Sequence, residues 1–134
     1  MTERFRMIPV FQYAAQFLEA IDGDTVKLQI DQGLYNFAIR HVRILGINCP
    51  EMKGPTKADG IRAKEATEWW FANHSKIVIA TKPDPRQQTD DFGRWLAFVW
   101  GDNAVGEQEE LGKYLLETNN AVVYWPKGTK NANQ

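Results

Sequence analysis

A small β-barrel with helices, α+β by content, is the fold class this sequence predicts. Three observations carry it: strand-like segments separated by turns over the first third, helical spacing over 60–73, and apolar strands on the far side of that helix. Residues 7–13 and 16–21 read as extended and lead into Asp22-Gly23, a tight-turn pair. Residues 25–30 alternate Val26, Leu28 and Ile30 with Thr25, Lys27 and Gln29, the period of a half-buried strand. Asp31-Gln32-Gly33 makes a second hairpin turn, and 35–45 returns as a long strand, so the first three strands form a meander. Pro50, Gly54 and Pro55 hold 48–59 as a loop. Ala63, Ala66 and Trp70 space a helix over 60–73; the consecutive Trp69, Trp70 and Phe71 point about 100° apart and cannot share one face. Strands at 76–81 and 95–100 flank a polar loop with Pro83 and Pro85. A second helix spans 106–117, with Leu111, Tyr114 and Leu115 inward and Glu107, Glu109 and Glu110 near its positive end, and 122–125 is extended. Three hairpin-linked strands, a helix and two more strands suit a five-stranded Greek-key barrel of the OB type, capped by two or three helices. A generic α+β sandwich fits the same string, and periodicity does not decide between the two.

The 134 residues are expected to form a single domain, 1–134, with about 1–6 and 127–134 flexible; 43% hydrophobic residues, five of them Trp, can fill its core. Sixteen Lys and Arg against 17 Asp and Glu leave a net charge of −1, which argues against holding nucleic acid through bulk positive charge. A lone Cys49 cannot form an internal disulfide, and His41 and His74, far apart and without partner cysteines, do not make a zinc site. Residues 1–10 lack the apolar run of a signal peptide and no segment approaches a membrane span, so a monomer with no membrane partner, cytoplasmic by default, is expected.

Three segments could carry chemistry. In Ile21-Asp22-Gly23-Asp24-Thr25 two carboxylates flank a turn glycine and project from one barrel end, the oxygen chemistry a hard divalent cation needs. A common hairpin turn has the same residues. In Arg43-Ile44-Leu45-Gly46-Ile47-Asn48-Cys49-Pro50-Glu51, the arginine is a solvated strand position or a fork aimed at phosphate, and Glu51 a loop residue or a general base. In Asp90-Asp91-Phe92-Gly93-Arg94-Trp95-Leu96-Ala97, a second arginine precedes an apolar strand.

Taken together, Asp-Gly-Asp-Thr-Val, Arg-x4-Asn-x-Pro-Glu and Asp-x-x-Gly-Arg-x-Leu-Ala, in this order, resemble the staphylococcal-nuclease (thermonuclease) family over roughly residues 15–126. The resemblance implies an OB-fold nuclease that uses Ca²⁺ to hydrolyse DNA and RNA, leaving 3′-phosphate ends. By the same resemblance Asp24, Asn48 and the carbonyl of Cys49 match the metal ligands, Arg43 and Arg94 the phosphate-binding arginines, and Glu51 the general base. Asp22 and Thr25 match neighbours that shape the metal pocket. The alternative is a weakened nuclease-like barrel serving as a nucleic-acid-binding or protein-interaction module.

Departures from the family pattern bear on affinity. Asn48 stands where the family usually has Asp, which removes one negative charge from the metal site. Cys49 replaces a usual Thr. Asp91 and Phe92 replace the Lys and Tyr often found near the terminal phosphate, and Val122 falls where a base-stacking Tyr is common. The charge is also unevenly spread: 40–64 carries a local +4 and 100–117 a local −4. A basic rim and an acidic helix therefore cancel, which predicts modest, salt-sensitive affinity.

Overall fold

A computed structural model describes residues 11–125. The expectations for 1–10 and 126–134 lie outside the described residues. Strand β1 (Phe11–Asp22) is followed by β2 (Thr25–Asp31), β3 (Phe37–Ile44) and a short β4 (Ile47–Asn48). Helix α1 (Lys57–Ala72), β5 (Ser75–Thr81) and β6 (Trp95–Asp102) come next, then β7 (Gln108–Glu110), α2 (Leu111–Glu117) and β8 (Val122–Val123). Strand order is β3-β2-β1-β5-β6-β7, and a further β3–β6 pairing closes the first five into a barrel. That closure is parallel, Val42 to Trp95 through Ile44 to Ala97, while the other ladders are antiparallel. A five-stranded barrel with two helices is the OB architecture, and the sandwich alternative is excluded.

One long strand replaces the expected pair of segments at the start. The first residues of β1, Phe11–Ala14, pair with β5, and Ala15–Asp22 pair with β2. Register shifts after Phe17 and after Ala20 bend the strand, as bulges do, and turn Leu18 and Ile21 outward. A single strand thus serves both sides of the barrel. The β2–β3 turn uses more chain than the pattern suggested. Gly33, Leu34 and Tyr35 all adopt positive φ (85°, 55° and 62°), so β3 begins only at Phe37. Leu34 and Tyr35 are 96% exposed at its tip.

The expected helix over 106–117 is instead a hairpin plus a shorter helix. Asn103 accepts hydrogen bonds from the amides of Val105 and Glu107, and Gly106 at φ 83° turns the chain back so that β7 pairs with β6. Glu107, Glu109 and Glu110 therefore precede α2 rather than line its first turn. Inside the barrel Val26, Leu28, Ile30, Val42, Ile79 and Val99 are fully buried. Trp70 and Ala63 of α1 and Leu111 and Leu115 of α2 close the core. The aromatic triplet divides as its angular spacing requires: Trp70 and Phe71 are buried, while Trp69 is half exposed and stacked on Tyr114.

Candidate active site

The Asp22-Gly23-Asp24 turn sits where β1 and β2 meet α1. A Cβ on Gly23 would lie 2.8 Å from both the Ala63 Cβ and the Cys49 Sγ, so only glycine lets the turn approach the helix this closely. Thr67 of α1 locks the contact by donating to the Gly23 carbonyl at 2.7 Å. Asp24 is thereby drawn into the barrel end, 7% exposed, and its Oδ2 accepts the Cys49 amide at 2.8 Å. Burial, then the hydrogen bond and charge of Asp24 beside it, push the Asp22 carboxyl up to about 6.

Arg43 is almost as buried as Asp24. Its Nη1 donates to the carbonyls of Ile44 (3.1 Å) and Ile47 (3.0 Å) and lies 3.5 Å from Asp24 Oδ2, and its Nη2 donates to Asn48 Oδ1 at 3.2 Å. Arg94 is held differently. Its Nε meets Asp90 Oδ2 at 2.6 Å and its Nη1 donates to Thr25 Oγ1 at 3.2 Å. Asp90 Oδ1 accepts the amides of Phe92 and Arg94, so one carboxylate shapes the turn and aims the guanidinium. Thr25 in turn donates to Asp24 Oδ1 at 3.3 Å, linking Arg94 to the acid turn.

Glu51 has an exposed side chain on a rigid backbone. Its carbonyl accepts the Thr56 hydroxyl at 2.7 Å, and a Cβ on Gly60 would fall 2.5 Å from that carbonyl oxygen. Helix α1 thus presses directly on the segment that presents Glu51. The Cys49 thiol is buried in the opposite sense to a ligand: desolvation, then the charges of Asp24 and Asp22, push it up to about 12.

These side chains surround one cleft of about 520 Å³, whose walls include Asp22, Asp24, Arg43, Asn48, Glu51 and Arg94. Cys49 and Phe92 also line it, Phe92 with its ring 5.4 Å from the Arg94 guanidinium carbon. Thr25 acts behind the wall. Val122 lies apart: it pairs with Asn48 through β4–β8 but is exposed and borders a neighbouring hollow. Tyr124, two residues on, reaches the cleft, with the Arg43 guanidinium carbon 5.9 Å from its ring. Neither Tyr124 nor the anchoring role of Asp90 emerges from the residue pattern. The first signal was available as the next aromatic on the same side of an extended segment, and the second as the leading Asp of the Asp-x-x-Gly-Arg motif.

Among the described residues no three His, Cys, Asp or Glu side chains gather closely enough to hold a metal ion. Asp22, Asp24 and the Asn48 amide oxygen, which also accepts from Arg43, put oxygen donors on the cleft beside the carboxylates of Glu51, Asp90 and Asp91. Hard oxygen donors and the crowded pair Asp22 and Asp24 fit a hard divalent cation, and an amide at Asn48 contributes less charge to it than a carboxylate there would.

No known family profile matches the chain. It is 29% identical to a thermonuclease of Staphylococcus hyicus, over 62% of this chain and 46% of that protein. It is 26% identical to an uncharacterized protein of Methanocaldococcus jannaschii, over 76% of this chain and 56% of that protein. The chain spans about half the length of the curated relatives it matches. The similarity to the thermonuclease suggests a nuclease-like relationship. No described helix is long and apolar enough to cross a membrane.

Proposed function

We propose that this chain is a Ca²⁺-dependent nuclease that hydrolyses phosphodiester bonds of DNA and RNA and leaves 3′-phosphate ends. The observation that carries the reading is the convergence of Arg43, Glu51 and Arg94, from three separate segments, on the cleft that also holds Asp24 and Asn48. Glu51 takes a proton from water, the water oxygen bonds to phosphorus, and the bond from phosphorus to the 5′-oxygen breaks; the leaving oxygen takes up a proton from solvent. Negative charge grows on the phosphoryl oxygens as this happens. Arg94, with Nε and one Nη1 proton engaged by Asp90 and Thr25, keeps its Nη2 protons for those oxygens. Arg43 keeps Nε and one Nη2 proton beyond its internal bonds. Asp24, Asn48 and the Cys49 carbonyl would hold the cation, which supplies a further positive charge beside the phosphate. The thiol takes no part.

The bond from Arg43 to the Asn48 amide oxygen favours one second reading, a barrel that binds nucleic acid and cleaves weakly or not at all. End-labelled single-stranded DNA incubated with Ca²⁺ or with chelator separates the two. Metal-dependent cleavage to 3′-phosphate products, reduced about 10³-fold in Glu51→Gln, supports the enzyme. Binding without cleavage supports the module. Glu51 is the suitable control because its side chain is exposed.

A further inference from the structure

Beside the cleft lies a second groove of about 250 Å³, lined by Lys27, Ile39, Arg40, His41, Phe92 and Arg94. Phe92 and Arg94 also face the main cleft, so the two hollows share a wall. The far side is the β2–β3 hairpin. Register pairs Lys27 with His41 and Gln29 with Ile39, which puts Lys27, Ile39 and His41 on the outer face of the hairpin. Arg40 pairs with the inward Leu28, but β6 joins β3 only from Val42, so Arg40 emerges past the barrel wall beside the loop that carries Phe92. Farther out the hairpin exposes Ile39 (51%), Phe37 (56%), and Leu34 and Tyr35 at its tip. Glu19 stands opposite Lys27 and Asp31 opposite Phe37, two acids against the cations Lys27 and Arg40 and the titratable His41.

Cations interleaved with apolar side chains, Phe37, Tyr35 and Phe92 aromatic among them, match a polymer of repeating phosphates and unstacked bases. Continuity with the cleft favours that polymer over a protein partner. We infer that this groove and the outer β2–β3 hairpin form a track for single-stranded polynucleotide, binding the nucleotides that flank the scissile phosphate. Lys27 and Arg40 contact phosphates; Phe92, Phe37 and Tyr35 offer faces to bases, and Ile39 packs beside them. The inference rests on the proposed nuclease reading and extends its cleft onto the outer face of the β2–β3 hairpin. A duplex keeps its base faces stacked inside and gains nothing from such a stripe.

Fluorescein-labelled thymidine strands of two to twelve nucleotides, titrated in chelator against wild type, Lys27→Gln/Arg40→Gln and Tyr35→Ser/Phe37→Ser, test the track. Wild-type affinity rises with length beyond the dinucleotide. Lys27→Gln/Arg40→Gln weakens the 12-mer about tenfold and lowers the log–log salt slope by about 1.4, since each phosphate contact on a single strand contributes about 0.7. Tyr35→Ser/Phe37→Ser weakens only strands long enough to reach the hairpin tip. If the cationic double variant melts early, Arg40→Gln alone, at an exposed position, carries the test with about half the slope change. Affinity that does not grow with length, 12-mer binding equal in all proteins, or preference for a duplex of the same length overturns the track. Cleavage of the 12-mer in Ca²⁺ is measured separately: its absence with length-dependent binding intact defeats the nuclease reading and leaves the track standing.

Discussion

The two arginines of the cleft are the same residue type placed in opposite ways. Arg43 is anchored by main-chain carbonyls from its own strand exit and by buried Asp24, so it is part of the wall. Arg94 is anchored by two side chains, Asp90 and Thr25, at the mouth of a loop, so it is an attachment to the wall. The contrast teaches that one cation is built into the fold, while the other is held against it by side chains and would, on the proposed function, serve the phosphate alone.

The widest separation is expected from alanine substitutions of the two. Both lower kcat by about 10³-fold, the scale for losing a donor to developing charge. Only Arg43→Ala also costs about 3 kcal/mol in urea unfolding, because it leaves buried Asp24 without its cation and two carbonyls without the guanidinium donor. Arg94→Ala stays within about 1 kcal/mol of wild type, as a partly exposed pair should. Equal stability losses would break the comparison.

A second measurement sharpens it from the wall side. With its thiol pushed up to about 12, Cys49 is almost entirely protonated at pH 8. Relative to a thiol at its ordinary value, its alkylation in the native, chelator-treated protein is expected to slow about 10³-fold. Alkylation at the rate of a free thiol would mean that the β3–β4 wall is open to water.

On the loop side, Asp90→Asn keeps an oxygen for the amides of Phe92 and Arg94 but replaces the charged partner of Arg94 Nε. A kcat loss of about tenfold with little change in melting temperature is expected, reversed in neither KM nor Ca²⁺ dependence. A drop in melting temperature matching that of Arg43→Ala would show the loop to be as structural as the wall. The smallest effect belongs to Asn48→Asp. Placing a carboxylate beside Asp24 is expected to lower the Ca²⁺ concentration for half-activation several-fold; no shift would remove Asn48 from the proposed metal ligands.

Much of this was legible in the residues. The alternation at 25–30, the Asp-Gly turn and the single helix between strand groups point to the barrel, because burying one face of a strand imposes a period of two. The motif residues Asp24, Arg43, Asn48, Glu51 and Arg94 also stand out by type and order, and the fold brings them round one cleft. The misread elements share a cause. The helix expected from 106 gave way to a hairpin because Asn103 captures two amides, and the early break in β1 vanished because bulges let one strand bend round two sheets. Both are local hydrogen-bond choices that hydrophobic period does not encode.

By itself, the sequence determined which side chains carry charge and which faces are apolar, and hence a barrel with helices and a set of candidate site residues. Only the tertiary structure decided how those residues are held. The burial of Arg43 against main-chain carbonyls, the pressure of Gly60 on the Glu51 carbonyl, and the arrival of Tyr124 rather than Val122 at the cleft all depend on contacts between distant segments. Packing distance and hydrogen-bond partners are properties of pairs brought together by closure, and a linear pattern specifies only one member of each pair at a time.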